Sequence, residues 1–319
     1  MTPVIQEEKN MFTALLEKMH FPEVIAGQEK EMARLFHGRG FQYPEYQHFN
    51  IDWLSPVVLV ILYKEESDQW LASLSEFLLA EMTKRGFAVT SIQVQFRCRD
   101  LAPTFVLFGD EVTDYAANEN GLSYKISLGK NQNYGIFLDM KNGRRWLKEQ
   151  SEGKRVLNLF SYTCAFSAAA IAGGATQVVN LDMSKAALAV GRDNHRLNGH
   201  DLDKVKYLGH DLFKSWGKVK RLGPYDIIIA DPPSLQKGSV NIKRDYPKIM
   251  RRLPELLNEG GQALLCLNSP DLDFQFITDA LAEHCPQAKI IDIIKPPVEF
   301  TNVELDKGLK CVLVALQSE

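Results

Sequence analysis

Val156-Leu-Asn-Leu-Phe-Ser-Tyr-Thr-Cys-Ala-Phe166 decides the fold, because three further signals follow it in fixed order. An apolar run, Val178-Val-Asn-Leu-Asp182, ends in a carboxylate, and Val205-Lys-Tyr-Leu-Gly-His-Asp211 does the same. Tyr225-Asp-Ile-Ile-Ile-Ala-Asp-Pro-Pro-Ser234 then sets an acid and two prolines at the end of a buried strand. A doubly wound α/β sheet places ligand groups in this way, at the carboxyl ends of its strands.

From Lys154 onward the pattern alternates strand and helix, the mark of a parallel sheet. It predicts strands at 155–160, 178–182, 205–209, 227–231, 263–268, 289–294 and 310–316, with helices at 165–172, 184–197, 245–258 and 274–284. No helix separates the last two strands, so they are expected to pair antiparallel at one edge. The fold class is therefore a seven-stranded, doubly wound, Rossmann-like α/β sheet, with a smaller α/β domain before it. Within that smaller domain the pattern predicts strands at 57–63, 87–97 and 104–108 and a helix at 70–85. Residues 6–36 read as two helices broken at Phe21-Pro22, and 37–53 as a Gly/Pro/aromatic loop. Tyr124–Leu128 and Gly135–Leu138 read as a hairpin leading into a helix at 141–148. The expected division is 1–52, helices and loop; 53–115, small α/β domain; 116–319, main domain with a leading hairpin.

The turn after Leu159 lacks the Gly-x-Gly-x-x-Gly that lets a backbone approach a pyrophosphate. S-adenosylmethionine carries no phosphate, so small or hydroxylated turn residues suffice for it. Asp182 can accept from both ribose hydroxyls of such a nucleoside, its competing role being a helix N-cap. Asp211 can accept from the adenine amino group, or cap a helix in its turn. Asp231-Pro232-Pro233 is the most specific element. Two prolines fix an extended backbone and remove two donors, which frees the Asp231 side chain and the Pro232 carbonyl as acceptors for the amino edge of a base. Methyl transfer to a ring nitrogen needs mainly positioning, whereas transfer to carbon-5 of a pyrimidine needs a cysteine nucleophile. In Leu264-Leu-Cys-Leu-Asn-Ser-Pro270, Cys266 sits inside the strand and Asn268 takes the tip. Tyr246 and Phe300 are candidate stacking partners for the base.

The composition, 45% hydrophobic and 24% charged over 319 residues, is that of a globular protein. Its apolar runs are too short to span a bilayer, and the N-terminal residues lack an apolar signal core. Five scattered cysteines form neither a disulfide framework nor a zinc spacing, which fits a reducing, cytoplasmic compartment. A net charge of −3 argues against non-specific coating of nucleic acid, yet it leaves room for a local basic groove. Lys237, Lys243, Arg244, Lys248, Arg251 and Arg252 form such a cluster, read equally as a solvated helix face or as phosphate contacts.

These residues resemble the bacterial ribosomal RNA large-subunit methyltransferases of the class I fold, in their cytosine-C5 and guanine-N7 branches. The likeness rests on Glu119-Asn-Gly-Leu, Gly135-Ile-Phe-Leu-Asp139 with Arg144, the turn at 156–163, Asp182, Asp211, Asp231-Pro-Pro and Lys307-Gly-Leu-Lys310. It implies a cytoplasmic methyltransferase that uses S-adenosylmethionine. Phe137, Leu138, Asp139 and Arg144 would border the donor. Asn158, Phe160, Ser161, Tyr162 and Thr163 would line its amino-acid end, and Asp182, Met183, Asp211 and Leu212 its nucleoside, with Asp231 between donor and acceptor. Asp231, Pro232 and Asn268 are the expected catalytic residues, RNA the expected partner, ribosomal RNA first, and a homodimer the other association considered. The chain departs from the family in having Cys164-Ala165 for two glycines, Lys141 for an arginine and Asn268 for the catalytic cysteine of the C5 branch. Base-nitrogen transfer is the reading this favours. Two alternatives stand beside it: methylation of a protein amide or small molecule, to which Ser234 points, and a non-catalytic protein that binds the cofactor.

Overall fold

The computed structural model describes residues 3–23, 31–233 and 240–317. They fall into two compact units, one drawn from Met1–Leu138 with Val298–Val303, the other from Asp139–Pro297 with Glu304–Glu319.

The first unit comprises α1 (Pro3–Leu16), β1 (Ala33–His37), β2 (Phe49–Leu54), β3 (Val57–Leu62), α2 (Asp68–Lys84), β4 (Ser91–Phe96), β5 (Thr104–Gly109) and a hairpin of β6 (Asp114–Glu119) and β7 (Leu122–Ser127). Strands β1 to β5 lie side by side in chain order, antiparallel except for the β3–β4 pair that α2 connects. Ser67 starts α2 by accepting from Trp70 N at 3.1 Å. Trp70, Leu74, Leu78 and Met82 of α2 then bury against Val58, Val60, Ile92 and Val94, with Phe12 and Leu15 of α1 completing that core. The opposite sheet face is also buried, and mixes polar Arg34, Asn50, Asp52, Gln93 and Gln95 with apolar Val57, Leu59 and Ile61 of β3.

Several expectations are corrected here. Residues 33–37 form a strand rather than the end of a second helix, and residues 24–30 of that expected helix lie outside the described residues. The loop expected at 37–53 contains β2, in which Phe49, Ile51 and Trp53 face the core while Asn50 and Asp52 face the polar side. The hairpin is β6–β7 and not 124–128 with 135–138, because Asn120 (φ 53°) and Gly121 (φ 73°) form its turn. Boundaries expected at 52–53 and 115–116 therefore fall inside β2 and β6.

The second unit comprises α3 (Lys141–Gln150), β8 (Arg155–Leu159), α4 (Ala165–Ala172), β9 (Gln177–Asp182), α5 (Lys185–Leu197), β10 (Val205–Gly209), α6 (Trp216–Leu222), β11 (Tyr225–Ala230), α7 (Ile242–Met250), α8 (Leu253–Leu256), β12 (Leu257–Leu267), α9 (Phe274–His284), β13 (Ala288–Ile293) and β14 (Lys310–Leu316). The strand order is β10-β9-β8-β11-β12-β14-β13, with the first five parallel and β14 antiparallel to both neighbours. Its strands bury both faces, one against α3 and α4 through Leu147 and Phe166, the other against α7 to α9 through Ile249, Leu253 and Ile277. The helix expected at 245–258 is two helices, since Pro254 opens α8 and β12 has begun by Leu257. Strand order reverses between β8 and β11, which opens a crevice beyond their carboxyl ends.

Candidate functional site

The turn leaving β8 holds three side-chain-bearing residues in left-handed backbone: Phe160 (φ 58°), Tyr162 (φ 45°) and Cys164 (φ 59°). Each such residue costs about 1 kcal/mol or more, so neighbours must fix the turn. Ser161 N donates to Leu181 O at 3.1 Å, Cys164 N to Ser161 O at 2.7 Å, and Asn194 Nδ2 of α5 to Thr163 O at 2.9 Å. Gly191 of α5 makes room for Cys164, since a Cβ there would stand 2.4 Å from its sulfur. Cys164 thus adopts the backbone for which glycine is the usual residue. Burial pushes its thiol up to about 12, which leaves it unreactive.

Asp182 closes the turn. Its Oδ2 accepts from Tyr162 N at 2.8 Å and its Oδ1 from Ser184 N at 2.8 Å, so both oxygens are fixed and each keeps a lone-pair direction for a further donor. The helix-cap role considered for Asp182 falls instead to Ser184, whose Oγ accepts from Ala187 N at 3.1 Å. Met183, 60% exposed, offers an apolar surface next to it. His210 N donates to Asp182 O at 3.1 Å and so joins the ends of β9 and β10. Asp211 does act as a cap, with Oδ1 accepting from Phe213 N at 2.9 Å and Oδ2 3.7 Å from Lys214 Nζ, while Leu212 is buried. Asn158 stands below the turn in a buried chain. It donates to Asn180 Oδ1 at 2.9 Å, Asn180 donates to Ser167 Oγ at 2.9 Å, and Ser167 meets His195 Nε2 at 2.9 Å.

Across the strand-order reversal, Asp231 follows β11 directly. Burial, and the like charge of Asp139, push its carboxyl up to about 7, while Arg144 pulls the other way. Pro232 is buried, and Asn268 is exposed one residue past β12. Cys266 is fully buried, with its thiol driven far up by desolvation. Lys310 is buried at the base of this tip and donates to Ser269 O at 2.9 Å, Asp306 O at 2.6 Å and Gly308 O at 2.8 Å. Ser234 and Lys237 lie outside the described residues.

Two sequence-derived roles are overturned. Tyr246 cannot stack on a ligand, because it is fully buried and its hydroxyl donates to Cys266 O at 2.9 Å and Ala230 O at 3.3 Å. Phe300 belongs to the first unit, where its ring covers the Arg34 guanidinium at 4.8 Å. Much of the basic cluster is neutralised locally: Arg244 and Lys248 pair with Asp245, each at 2.8 Å, and Arg252 with Glu255. Phe137, exposed, and Leu138, buried, end the first unit's main segment. Asn194 and Lys310 brace the rim without having been singled out for it. Only the position of Lys310 after a Gly-Leu pair offered a cue.

A doubly wound sheet with acids at its strand ends, and no pyrophosphate turn at its switch point, suits a nucleoside cofactor without a diphosphate. The family model of S-adenosylmethionine-dependent methyltransferases matches residues 33–315, and the chain belongs to that family. It is therefore a methyltransferase, and its cofactor is S-adenosylmethionine. The chain is 30% identical over 271 residues to ribosomal RNA large subunit methyltransferase K of Neisseria meningitidis, covering 82% of this chain and 72% of that protein. It is 32% identical over 200 residues to ribosomal RNA large subunit methyltransferase I of Aeromonas salmonicida, covering 60% of this chain and 50% of that one. The chain thus spans about half the length of its methyltransferase I relatives. Among solved structures, a Streptococcus mutans methyltransferase, SMU.776 complexed with SAH, superposes with a TM-score of 0.76 at 25% identity, over 98% of this chain and 80% of that one. The tRNA m1G37 methyltransferase of M. jannaschii shares the fold, with a TM-score of 0.58 at 16% identity over 84% of this chain and 72% of that one. Among the described residues no helix is long and apolar enough to cross a membrane.

Proposed function

We propose that the enzyme methylates a nitrogen of an RNA base, with ribosomal RNA the first substrate to test. The observation that carries this reading is Asp231-Pro232 beside a thiol-free rim. Cys164, Cys266, Cys285 and Cys311 are all buried, and Asn268 holds the exposed tip where a carbon-5 enzyme needs a nucleophile. The names of the ribosomal RNA relatives support the substrate class.

The residues present fit the cofactor. Asp182 keeps acceptor capacity for two hydroxyls, and Met183 offers an apolar face to the adenine, while Leu212 follows Asp211 as a buried residue. Asp211 borders the same end, and the turn Phe160–Thr163, on its Asn158 support, lines the amino-acid end. Asp139 and Arg144 are assigned to the donor side. Bound S-adenosylmethionine supplies a methyl group on a sulfonium sulfur. Asp231 and the Pro232 carbonyl accept from the amino edge of the base and orient its nitrogen, and Asn268 contacts the base from the facing strand end. A nitrogen that carries a hydrogen must lose it on methylation, and the carboxyl of Asp231, poised at about 7, holds that proton. The proposal also places the enzyme in the cytoplasm and allows self-association through edge strand β13, where Ile290, Ile291 and Ile293 are exposed. Light scattering reads the association.

The test is tritium transfer from labelled cofactor to undermethylated total RNA and, in parallel, to protein extract. Counts in RNA, recovered as a nitrogen-methylated nucleoside on digestion, are expected. Counts in protein alone, or a carbon-methylated pyrimidine, defeat the reading.

A further inference from the structure

We propose that the first unit carries a binding site for an unpaired RNA base, formed by Phe41, Tyr63, Arg39 and Arg97, and this deepens the RNA reading on which it rests. Phe41 is 45% exposed, although Phe36, Tyr46 and Phe49 on the adjoining segments are buried. It also sits at φ 59°, a backbone that bulky residues rarely adopt. A ring held out in this way is not an accident of a loose loop. Phe41 N donates to Gly38 O at 3.0 Å, Val303 N to Gly40 O at 2.9 Å, and Arg39 N to Asn50 Oδ1 at 3.2 Å. Gly38 is wedged so tightly that a Cβ would stand 2.0 Å from Tyr46 O and 2.2 Å from Phe49 O. The support is rigid, so a stacking partner has little left to order.

The guanidinium of Arg39 lies 4.6 Å from the Phe41 ring centre and 4.8 Å from that of Tyr63, and Arg97 lies 5.9 Å from Tyr63. Arg97 is steadied by uncharged acceptors, Gln95 Oε1 and Gln132 O, each at 2.9 Å. Neither arginine has a carboxylate partner among the described residues. Of the acids on the chain segment after Tyr63, Glu65 pairs with Arg99 at 2.6 Å, and Glu66 faces His48 Nε2 at 3.1 Å, an imidazole that burial holds toward its neutral form. A chain of net charge −3 thus presents two unneutralised guanidinium groups interleaved with two rings. Aromatic faces and guanidinium planes stack on any unpaired base, and the remaining positive charge attracts its phosphate.

The experiment measures binding of a fluorescent single-stranded RNA 15-mer of random sequence to the full chain by anisotropy, with SAH affinity by calorimetry alongside. Phe41→Ala is expected to weaken RNA binding about tenfold, the scale of one lost base stack. Arg39→Met and Arg97→Met each lower the slope of log affinity against log salt by about one. SAH affinity stays unchanged in all three. Phe41→Gly removes the ring while favouring the left-handed backbone, so loss of RNA binding at an unchanged or higher Tm excludes misfolding as the cause. Phe41→Trp restores binding. If the wild type binds RNA and Phe41→Ala and Phe41→Gly bind it equally well, the site is wrong. A patch that prefers anionic vesicles or acidic peptides to RNA also overturns it. Wild-type protein that neither binds nor methylates RNA sinks the underlying reading instead.

Discussion

Asp231 is a carboxyl whose charge changes near neutral pH. Its carboxyl is pushed from the ordinary carboxylate range up to about 7, first by burial and then by Asp139. Because the folded value lies above the unfolded one, the contribution of Asp231 to stability is complete below pH ~4 and is lost as pH rises through about 7. Asp231→Asn is therefore expected to melt above the wild type at pH 8, by about 2–4 °C for each kcal/mol relieved, and level with it near pH 4. Equal melting at both values would count against the buried acid. A cation bound beside Asp231 favours its ionised form. Calorimetry should thus show S-adenosylmethionine binding tighten by up to about tenfold between pH 6 and 8, while the uncharged thioether SAH shows little trend. Matching trends for the two ligands would remove Asp231 from the sulfonium's neighbourhood. Asp182 and Asp231 stood out in the sequence because each ends an apolar strand, although Asp211 shows that a carboxylate so placed can also be a helix cap. Tyr246 was misread because an aromatic in a helix looks the same in sequence whether its hydroxyl meets carbonyl groups or solvent. Asn194 gave no signal, since its helical position is that of an ordinary surface residue.

At the scale of elements, the rim is a set of strand ends tied together by buried donors. Tyr246 bridges the carbonyls of Ala230 and Cys266, one residue before Asp231 and two before Asn268. Tyr246→Phe leaves both acceptors buried, and about 1–3 kcal/mol of stability should go with them. Chemical denaturation reads the loss, and calorimetry should show cofactor affinity within about twofold of wild type, since the hydroxyl is buried against two strand carbonyls. Undiminished stability would mean those carbonyls find water. The central strands of the second unit were readable because burial on both faces leaves continuous apolar runs, whereas the edge strands β10 and β13 are not so covered. The first unit hid its strands better. Phe49-Asn-Ile-Asp-Trp-Leu54 alternates with a period of two, but its polar positions face a buried network around Arg34 and Asp52 rather than water, amid Gly/Pro-rich flanks. The β6–β7 hairpin should have been found, since Asn120-Gly121 between alternating strands is the strongest short-range hairpin signal.

For the molecule as a whole, order along the chain and membership of a unit are not the same thing. Residues 298–303 follow nearly all of the second unit, yet belong with the first. There Phe300 lies over Arg34 and beside His37, at 4.8 and 5.3 Å between centres. That guanidinium is joined to Asp52, and Asp52 also accepts from Tyr134 OH at 3.0 Å. A fragment ending at Leu138 therefore lacks one wall of its own buried ion pair and should fold less stably than the same unit within the full chain. Its melting temperature should rise when a synthetic peptide spanning 296–304 is added, and a Phe300→Ala peptide should rescue it poorly. Indifference to either peptide would show the strap to be dispensable. Because the chain returns so late, the ribosome must have made the second unit almost to its last strand before the residues that complete the first unit's interior exist.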